Sequence, residues 1–468
     1  MQTECNATQI EFSGLGRQQV LGRFDAEHAS TDGGVLLLRE VEQRTGWLRR
    51  FADCFVDHRD ETRVEHTTAE LVTQRVLGIA MGYEDLNDHD LLRDDALFAL
   101  ATGKRDLVGA TRLRARDRGH ALAGKSTLQR LEHGRGERSR YQRIDHDTDA
   151  LERQFVECFL DAHAQAPARI VLDLDATDDP LHGHQEGRFF HGYYGNYCYL
   201  PLYVFCGDHL LVAKLRTADR DGADGSVEEL ARVIAQIRAR WPEVEIWIRG
   251  DSGFAREALM VWCEANGVEY VLGLARNARL ARAIGGALHE VEAEHAKTQV
   301  AARRFEELRY RTARTWSRER RVVAKAEFLP GKANPRFVVT SLGVERFAAR
   351  ELYERIYCAR GDMENRIKEQ QLDLFADRTS TATLRANQLR LWFASMAYVL
   401  IAELRRVGLH GTAWARAQAG TIRLRLFKLA TQVSISARRI VLSFPSAYPL
   451  QALFAEALAR LRARPAAV

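Results

Sequence analysis

The sequence predicts an α/β protein: a mixed-sheet core interrupted by a β-rich insertion, preceded by a mainly helical region and followed by a helical, basic tail. Three observations predict it. Residues 168–177, ARIVLDLDAT, form a short β-branched run that ends in acidic and turn residues, the composition of a buried strand. Residues 199–217 read as two strands joined at Gly207-Asp208, a pair suited to a hairpin turn. From residue 226 onward helical and strand periods alternate, the layout of helices laid over a sheet.

In chain order, residues 1–165 are polar and helical in texture, with loops at Gly33-Gly34 and Gly103. Within them, Thr111 to Arg143 carries nine Arg and Lys125 against Asp117, Glu132 and Glu137, an excess of +7 over 33 residues. Such a block suits a solvated face or a nucleic-acid footprint. The core's first part spans 166–276: after the hairpin come a helix within 226–242 that stops before Pro242, a strand at 244–251, a helix at 256–267 and a strand at 268–275. Residues 277–346, with RRVVAKAEFL and PRFVVTSL, read as the β-rich insertion. The core resumes at 347–406 with a long helix to about 372 and a second helix. The tail, 407–468, is basic; from 404 onward Glu456 is the single acid against eleven basic residues.

Composition excludes several classes. With 468 residues, 46% hydrophobic and 28% charged, the chain can bury a sizeable core and is neither disordered nor low-complexity. Its net charge is only +5, although 60 of its 68 basic residues are arginine. Seven scattered cysteines without a CxxC pair argue against a disulfide framework or a cysteine zinc site. The histidines at 182, 184 and 191 fit no standard zinc spacing either. The polar N-terminus lacks a signal-peptide layout, and the longest apolar run, Leu391 to Ala402, is twelve residues where a span takes about 20. A cytoplasmic protein is expected.

Candidate chemistry begins with a decoy. GHALAGKS (119–126) matches the phosphate-loop pattern letter for letter, but TRLRARDR before it cannot be the buried strand that such a loop requires. KSTLQRLEH reads instead as a helix capped by Ser126 or Thr127, suited to nucleic-acid recognition through Lys125 and Arg130, or simply a surface helix.

The acidic strand ends carry more. Asp173 and Asp175 close one strand run and Asp251 closes another, where functional groups collect in open sheets. Alternation puts Asp173 and Asp175 on one face; Asp175, nearer the end, is preferred and Asp173 stays a competitor. Singly, each is an ordinary turn or cap residue. On the long helix, at about 100° per residue, Tyr357, Arg360, Glu364 and Lys368 share an arc of about 80°, whereas Asp362 and Glu369 face elsewhere. An i,i+4 ion-pair ladder explains that arc equally well. Together, two strand-end aspartates and a helical glutamate suit two divalent cations across a scissile phosphate.

DLDATDD, RGDSGF and Y-x-x-R-x-x-x-E-x-x-x-K, with HGYYGNYCYLPLYVF (191–205) and the STDGG opening, resemble the catalytic segments of bacterial insertion-sequence DDE transposases of the cut-and-paste group with a Tyr-Arg-Glu-Lys signature. The resemblance runs in order over nearly the whole chain, with spacings of 76 and 113 residues between the three acids. It implies an RNase H-like core and catalysis on two Mg²⁺ ions, with Mn²⁺ as a substitute, held by Asp175, Asp251 and Glu364. It further implies DNA contacts from Tyr357, Arg360 and Lys368, with Trp316 stacking on a displaced base unless it merely packs. The partners implied are double-stranded DNA, both terminal inverted repeats and target, and a second copy of the chain in a homodimer acting at the nucleoid. One departure stands out: the signature's last lysine, seven residues past the glutamate, is Gln371. The alternatives are a metal-dependent nuclease that cuts without strand transfer, which shares all of this chemistry, and a non-catalytic DNA-binding protein derived from a transposase.

Overall fold

The computed structural model describes residues 9–133, 139 and 141–463. Arg135, Glu137, Arg138 and Arg140 of the basic block lie outside the described residues. The chain forms two compact units. One comprises Asp53–Val56 and Glu132–Ala402, the other Met1–Ala52, Asp57–Leu131 and Glu403–Val468. Among the described residues no helix is long and apolar enough to cross a membrane.

The larger unit is a mixed α/β fold. Helix α1 (Thr148–Asp161) starts where the Asp147 carboxylate accepts a hydrogen bond from Ala150 N at 3.0 Å. Strand β1 (Arg169–Ala176) follows, then β2 (Leu202–Cys206) and β3 (His209–Lys214), the hairpin expected from Gly207-Asp208. Gly207 sits at φ 57°, a left-handed conformation that glycine adopts at no steric cost. Next come α2 (Ser226–Arg240), β4 (Glu245–Gly250), α3 (Glu257–Ala265) and β5 (Glu269–Leu274). Helix α2 buries Leu230, Val233, Ile234 and Ile237, the three-and-four spacing of one apolar face.

The following segment opens with two helices, α4 (Ala278–Ala283) and α5 (Gly285–Thr298), before β6 (Ala302–Tyr310), β7 (Arg320–Leu329), β8 (Lys332–Ala333) and β9 (Arg336–Thr340). Expected as β-rich, it is helical at its start, because charged helical turns and charged strands look alike in composition. Its strands do not form a sheet of their own. They extend the core sheet to nine strands in the order β3-β2-β1-β4-β5-β9-β7-β6, with β8 paired to β7. Strands β1, β4 and β5 run parallel; every other pairing is antiparallel. One apolar core joins Phe159 of α1, Leu172 of β1, Ile248 of β4 and Met260 of α3 to Val322 and Val339 of the added strands. Each such fully buried side chain contributes on the order of 1.5–3 kcal/mol. Helices α6 (Gly361–Leu374) and α7 (Leu384–Glu403) complete the unit.

In the other unit, N-terminal helices and the C-terminal tail build one body. Thr431 and Gln432 pair in antiparallel register with Ser30 and Ala29, and helix Gln451–Arg462 packs on helix Val35–Thr45. Asp32, fully buried, takes hydrogen bonds from Lys428 Nζ at 2.7 Å and Tyr83 OH at 2.6 Å. The tail is therefore not purely helical as expected: Thr431–Ile435 and Ile440–Ser443 are strands. Nor is the first region purely helical, since Ile10–Leu15 and Gln18–Gly22 form a hairpin.

Candidate active site

Parallel pairing of β1 and β4 brings two acidic strand ends together. Arg249 lies opposite Asp173 and Gly250 opposite Leu174, and each chain carries an aspartate just past the last pair, Asp175 and Asp251. Strands buried on both faces admit charged groups chiefly at their ends, and both aspartates sit at carboxyl ends. Past β4 the chain turns sharply, with Asp251 Oδ1 accepting from Gly253 N at 2.8 Å. Gly273, on the neighbouring β5, lies under that turn. A Cβ there would meet Tyr357 OH at 2.6 Å and Ser252 N at 2.9 Å, so no side chain fits.

The two candidates on β1 have different surroundings. Asp173 is 4% exposed and is gripped by the Arg249 guanidinium, Nη2 lying 2.7 Å from Oδ2, while Arg249 Nη1 donates to Ile356 O at 2.6 Å. That ion pair occupies both Asp173 oxygens. Asp175 has no ion pair among the described residues; its Oδ1 accepts from its neighbour Ala176 N at 3.0 Å. Burial pushes its carboxyl up to about 7; Arg360 opposes the shift, and the charges of Asp251 and Glu364 add to it. Asp251 and Glu364 are thus within electrostatic reach of Asp175, and Asp173 is compensated locally.

Glu364 is brought in by a helical path that is not a single α-helix. Residues Ala349–Glu351 are α-helical, Leu352–Tyr357 make a π turn, Cys358–Arg360 a 3₁₀ turn, and α6 follows. The even 100° spacing assumed from sequence therefore fails before Gly361. Arg360 still reaches Glu364, Nη2 to Oε1 at 2.6 Å. The guanidinium is held firmly charged despite its burial, by Asp175 first, then Tyr357, Glu364 and Asp251. Burial raises the Tyr357 hydroxyl above its usual range, Arg360 opposing and Asp251 adding. Lys368 is exposed, so the ladder expected on this face is a single pair, Arg360–Glu364.

Gln371 has an inward role. Its Nε2 donates to Asp178 O at 3.2 Å and to Asp179 Oδ1 at 3.0 Å, tying α6 to the loop after β1. Asp179 is fully buried, and burial pushes its carboxyl up to about 8, Gln371 opposing and Asp377 and Asp178 adding. Asp178 takes a hydrogen bond from Asn196 Nδ2 at 3.0 Å.

Other expected site residues lie elsewhere. Trp316 is 7% exposed and packs edge-on to Tyr310 at 5.7 Å between centroids, with Arg320 over its ring. A buried ring with a guanidinium over it has the packing role rather than the base-stacking one. Lys125 and Arg130 stand in the other unit, on helix Lys125–Glu132. That helix begins one residue before Ser126, and its cap is remote: Asp90 Oδ1 accepts from Lys125 N at 2.9 Å. A 3₁₀ turn, Ala115–Asp117, and irregular chain precede it. Neither the strand of a phosphate loop nor the first helix of a helix-turn-helix is present there.

Sequence reasoning missed Arg249, Gly273 and the Gln371–Asp179 tie. Gly273 left a signal, a glycine inside the apolar strand VLGLA, which marks close backbone approach. The others are pairings between residues far apart in sequence and left none.

The donor set suits a hard divalent cation: carboxylate oxygens, with Asp175 carrying charge that its burial disfavours. Among the described residues no three acidic, His or Cys side chains are gathered closely enough to hold a metal ion, and Arg360 engages Glu364. The chemistry of the residues fits such a group.

Comparison with known proteins bears on the same chain. A family profile described as "Transposase DDE domain group 1" matches residues 12–466. No curated protein matches the chain in sequence. Among solved structures, the cryo-EM structure of a piggyBac transposase synaptic complex with hairpin DNA is similar at a TM-score of 0.39 and 11% identity, over 85% of this chain and 80% of that one.

Proposed function

Because the chain belongs to the group 1 family of transposase DDE domains, we propose that it binds the terminal inverted repeats of a bacterial insertion sequence, cleaves DNA at the element's ends and joins the 3′-hydroxyls to target DNA. The observation that carries this reading is the pair of adjacent parallel strand ends that carry Asp175 and Asp251, with Asp251 and Glu364 both acting on the Asp175 carboxyl. The order β3-β2-β1-β4-β5, three antiparallel strands followed on one side by two that run parallel to β1, supports an RNase H-like core.

In this reading Asp175, Asp251 and Glu364 hold two divalent cations, Mg²⁺ or Mn²⁺, which when bound activate water or a 3′-hydroxyl and stabilise the leaving oxygen. Asp175 must give up its proton for that. Arg360 neutralises the charge that develops on the phosphate, and Lys368 and Tyr357 fix the strand beside it. Arg249 holds Asp173 out of the site and keeps β1 and β4 aligned. The second-copy requirement follows from two ends held at once, so a homodimer on DNA is the working form.

The test uses purified protein, Mg²⁺ and a duplex carrying the element's end, comparing wild type with Asp175→Ala, Asp251→Ala and Glu364→Gln. Cleavage at the boundary should fall at least about a thousandfold in each variant, with duplex binding retained. Cleavage that survives a substitution removes that residue from the triad. With a precleaved end, joined products distinguish transposition from cutting alone.

A further inference from the structure

HGYYGNY (191–197) has no part in the chemistry above, although the fold carries it to the same strand ends. It turns between two short strands, Phe189–His191 and Asn196–Tyr199, that pair antiparallel, and Gly195 N closes the turn on His191 O at 2.8 Å. The hairpin hangs on the chain that leaves β1. Asp179 and Pro180 pair with Tyr199 and Cys198, Leu181 N donates to Tyr197 O at 2.8 Å, and Asn196 holds Asp178. Asp178 is only three residues past Asp175, so the turn cannot stray far from the acids.

Tyr194 in that turn points back at them. Its hydroxyl donates to the carbonyl of Ala176, the residue after Asp175. The ring is half-buried and is held by His191 and Tyr193, at 4.9 Å and 5.0 Å between centroids. Burial first, then Asp178, Asp175, Tyr193 and Asp251, raise the hydroxyl above its usual range, so it keeps its proton beside the carboxylates. That proton is poorly used within the protein. The bond to Ala176 O is 3.3 Å long, against about 2.5–3.0 Å for an ordinary O–H···O bond.

We propose that Tyr194 is a further catalytic residue of DNA cleavage, its hydroxyl donating a hydrogen bond to a non-bridging oxygen of the scissile phosphate. The assignment rests on the DNA-cleaving reading of Asp175, Asp251 and Glu364. A phenol kept protonated can meet an anion only through its hydrogen, and the phosphate is the anion that the reaction brings to Asp175 and Asp251. Packing does not require the hydroxyl, because a phenylalanine ring would meet His191 and Tyr193 equally well. Arg360 comes to Asp175 from the helical path and Tyr194 from the hairpin, so the two donors are built on separate elements. A donor aimed at charge that grows during reaction acts on turnover more than on binding.

The test measures single-turnover cleavage, with Mg²⁺, of a duplex carrying the element's end. Its scissile phosphate is all-oxygen or has sulfur in place of one or the other non-bridging oxygen. Wild type is compared with Tyr194→Phe, which keeps the ring and loses the hydroxyl. The variant should cut the all-oxygen duplex at least about tenfold more slowly. Its urea unfolding midpoint and its duplex affinity in EDTA should match wild type. Sulfur is a weak acceptor, so one sulfur isomer should slow wild type by a larger factor than it slows Tyr194→Phe. Unchanged cleavage by the variant overturns the assignment. So does a rate loss accompanied by a lower unfolding midpoint, which would give the hydroxyl to holding Ala176. Sulfur effects of equal size in both proteins overturn it too. Wild type that leaves the all-oxygen duplex uncut removes the DNA-cleaving reading itself, and the assignment falls with it.

Discussion

Two aspartates that look interchangeable in DLDATDD meet opposite surroundings on β1. Asp173 shares a buried ion pair with Arg249, whereas Asp175 faces other carboxylates and is pushed up to about 7 by burial. Asp173→Ala should therefore act on stability, leaving Arg249 buried and unpaired at a cost of about 3–5 kcal/mol, measured by urea unfolding. Asp175→Ala should spare stability and remove activity. If the two variants unfold alike, the Arg249 pair is not what distinguishes them. Asp179 offers a second check. Its folded carboxyl, raised to about 8, stays protonated while the unfolded one ionises near 3.9, so wild type loses stability as pH rises from about 4 to about 8. Asp179→Asn cannot ionise and should hold its melting temperature flat across that window. A wild-type melting temperature equally flat would mean that Asp179 ionises freely in the native state.

At the scale of elements, the helical path 349–374 shows where periodicity stops being a guide. The π and 3₁₀ turns between Leu352 and Arg360 shift Tyr357 and Arg360 off an ideal helix, yet Arg360 and Glu364 still pair. What positions Tyr357 is β5: its hydroxyl passes the bare backbone of Gly273. Gly273→Ala should push Tyr357 and the Asp251 turn apart. Cleavage should fall by at least about tenfold, the effect of misplacing a reacting group by a fraction of an ångström, while duplex binding stays within about twofold. Unchanged cleavage would show that the turn tolerates the methyl group. Helix Lys125–Glu132 teaches the same lesson, because its cap is Asp90, 35 residues away in sequence.

At the scale of the whole molecule, chain ends that read as separate regions make one unit. Lys428 from the tail neutralises Asp32 from the N-terminal region, and Tyr83 completes the set. Lys428→Met should lower the stability of that unit by about 1–3 kcal/mol, since a buried carboxylate loses its charged donor. Hydrogen exchange should show the change in helix Val35–Thr45 and strand Thr431–Ile435, and leave β1 and β4 protected. Equal loss of protection in β1 would mean that the two units unfold together.

By itself, the sequence determined the α/β class, the hairpin at Gly207-Asp208, the alternating helices and strands to residue 275, and the short set of acids at strand ends. Those features are local: propensity, period and turn chemistry act within a few residues. Only the tertiary structure gave Asp173 and Asp175 different surroundings, because Arg249, 76 residues from Asp173, lies opposite it in parallel register. It alone turned Gln371 inward onto Asp179, buried Trp316, extended one sheet through the expected insertion and folded the tail onto the N-terminal helices. Each of these is a contact between distant segments, and burial, register and charge compensation exist only once those segments meet.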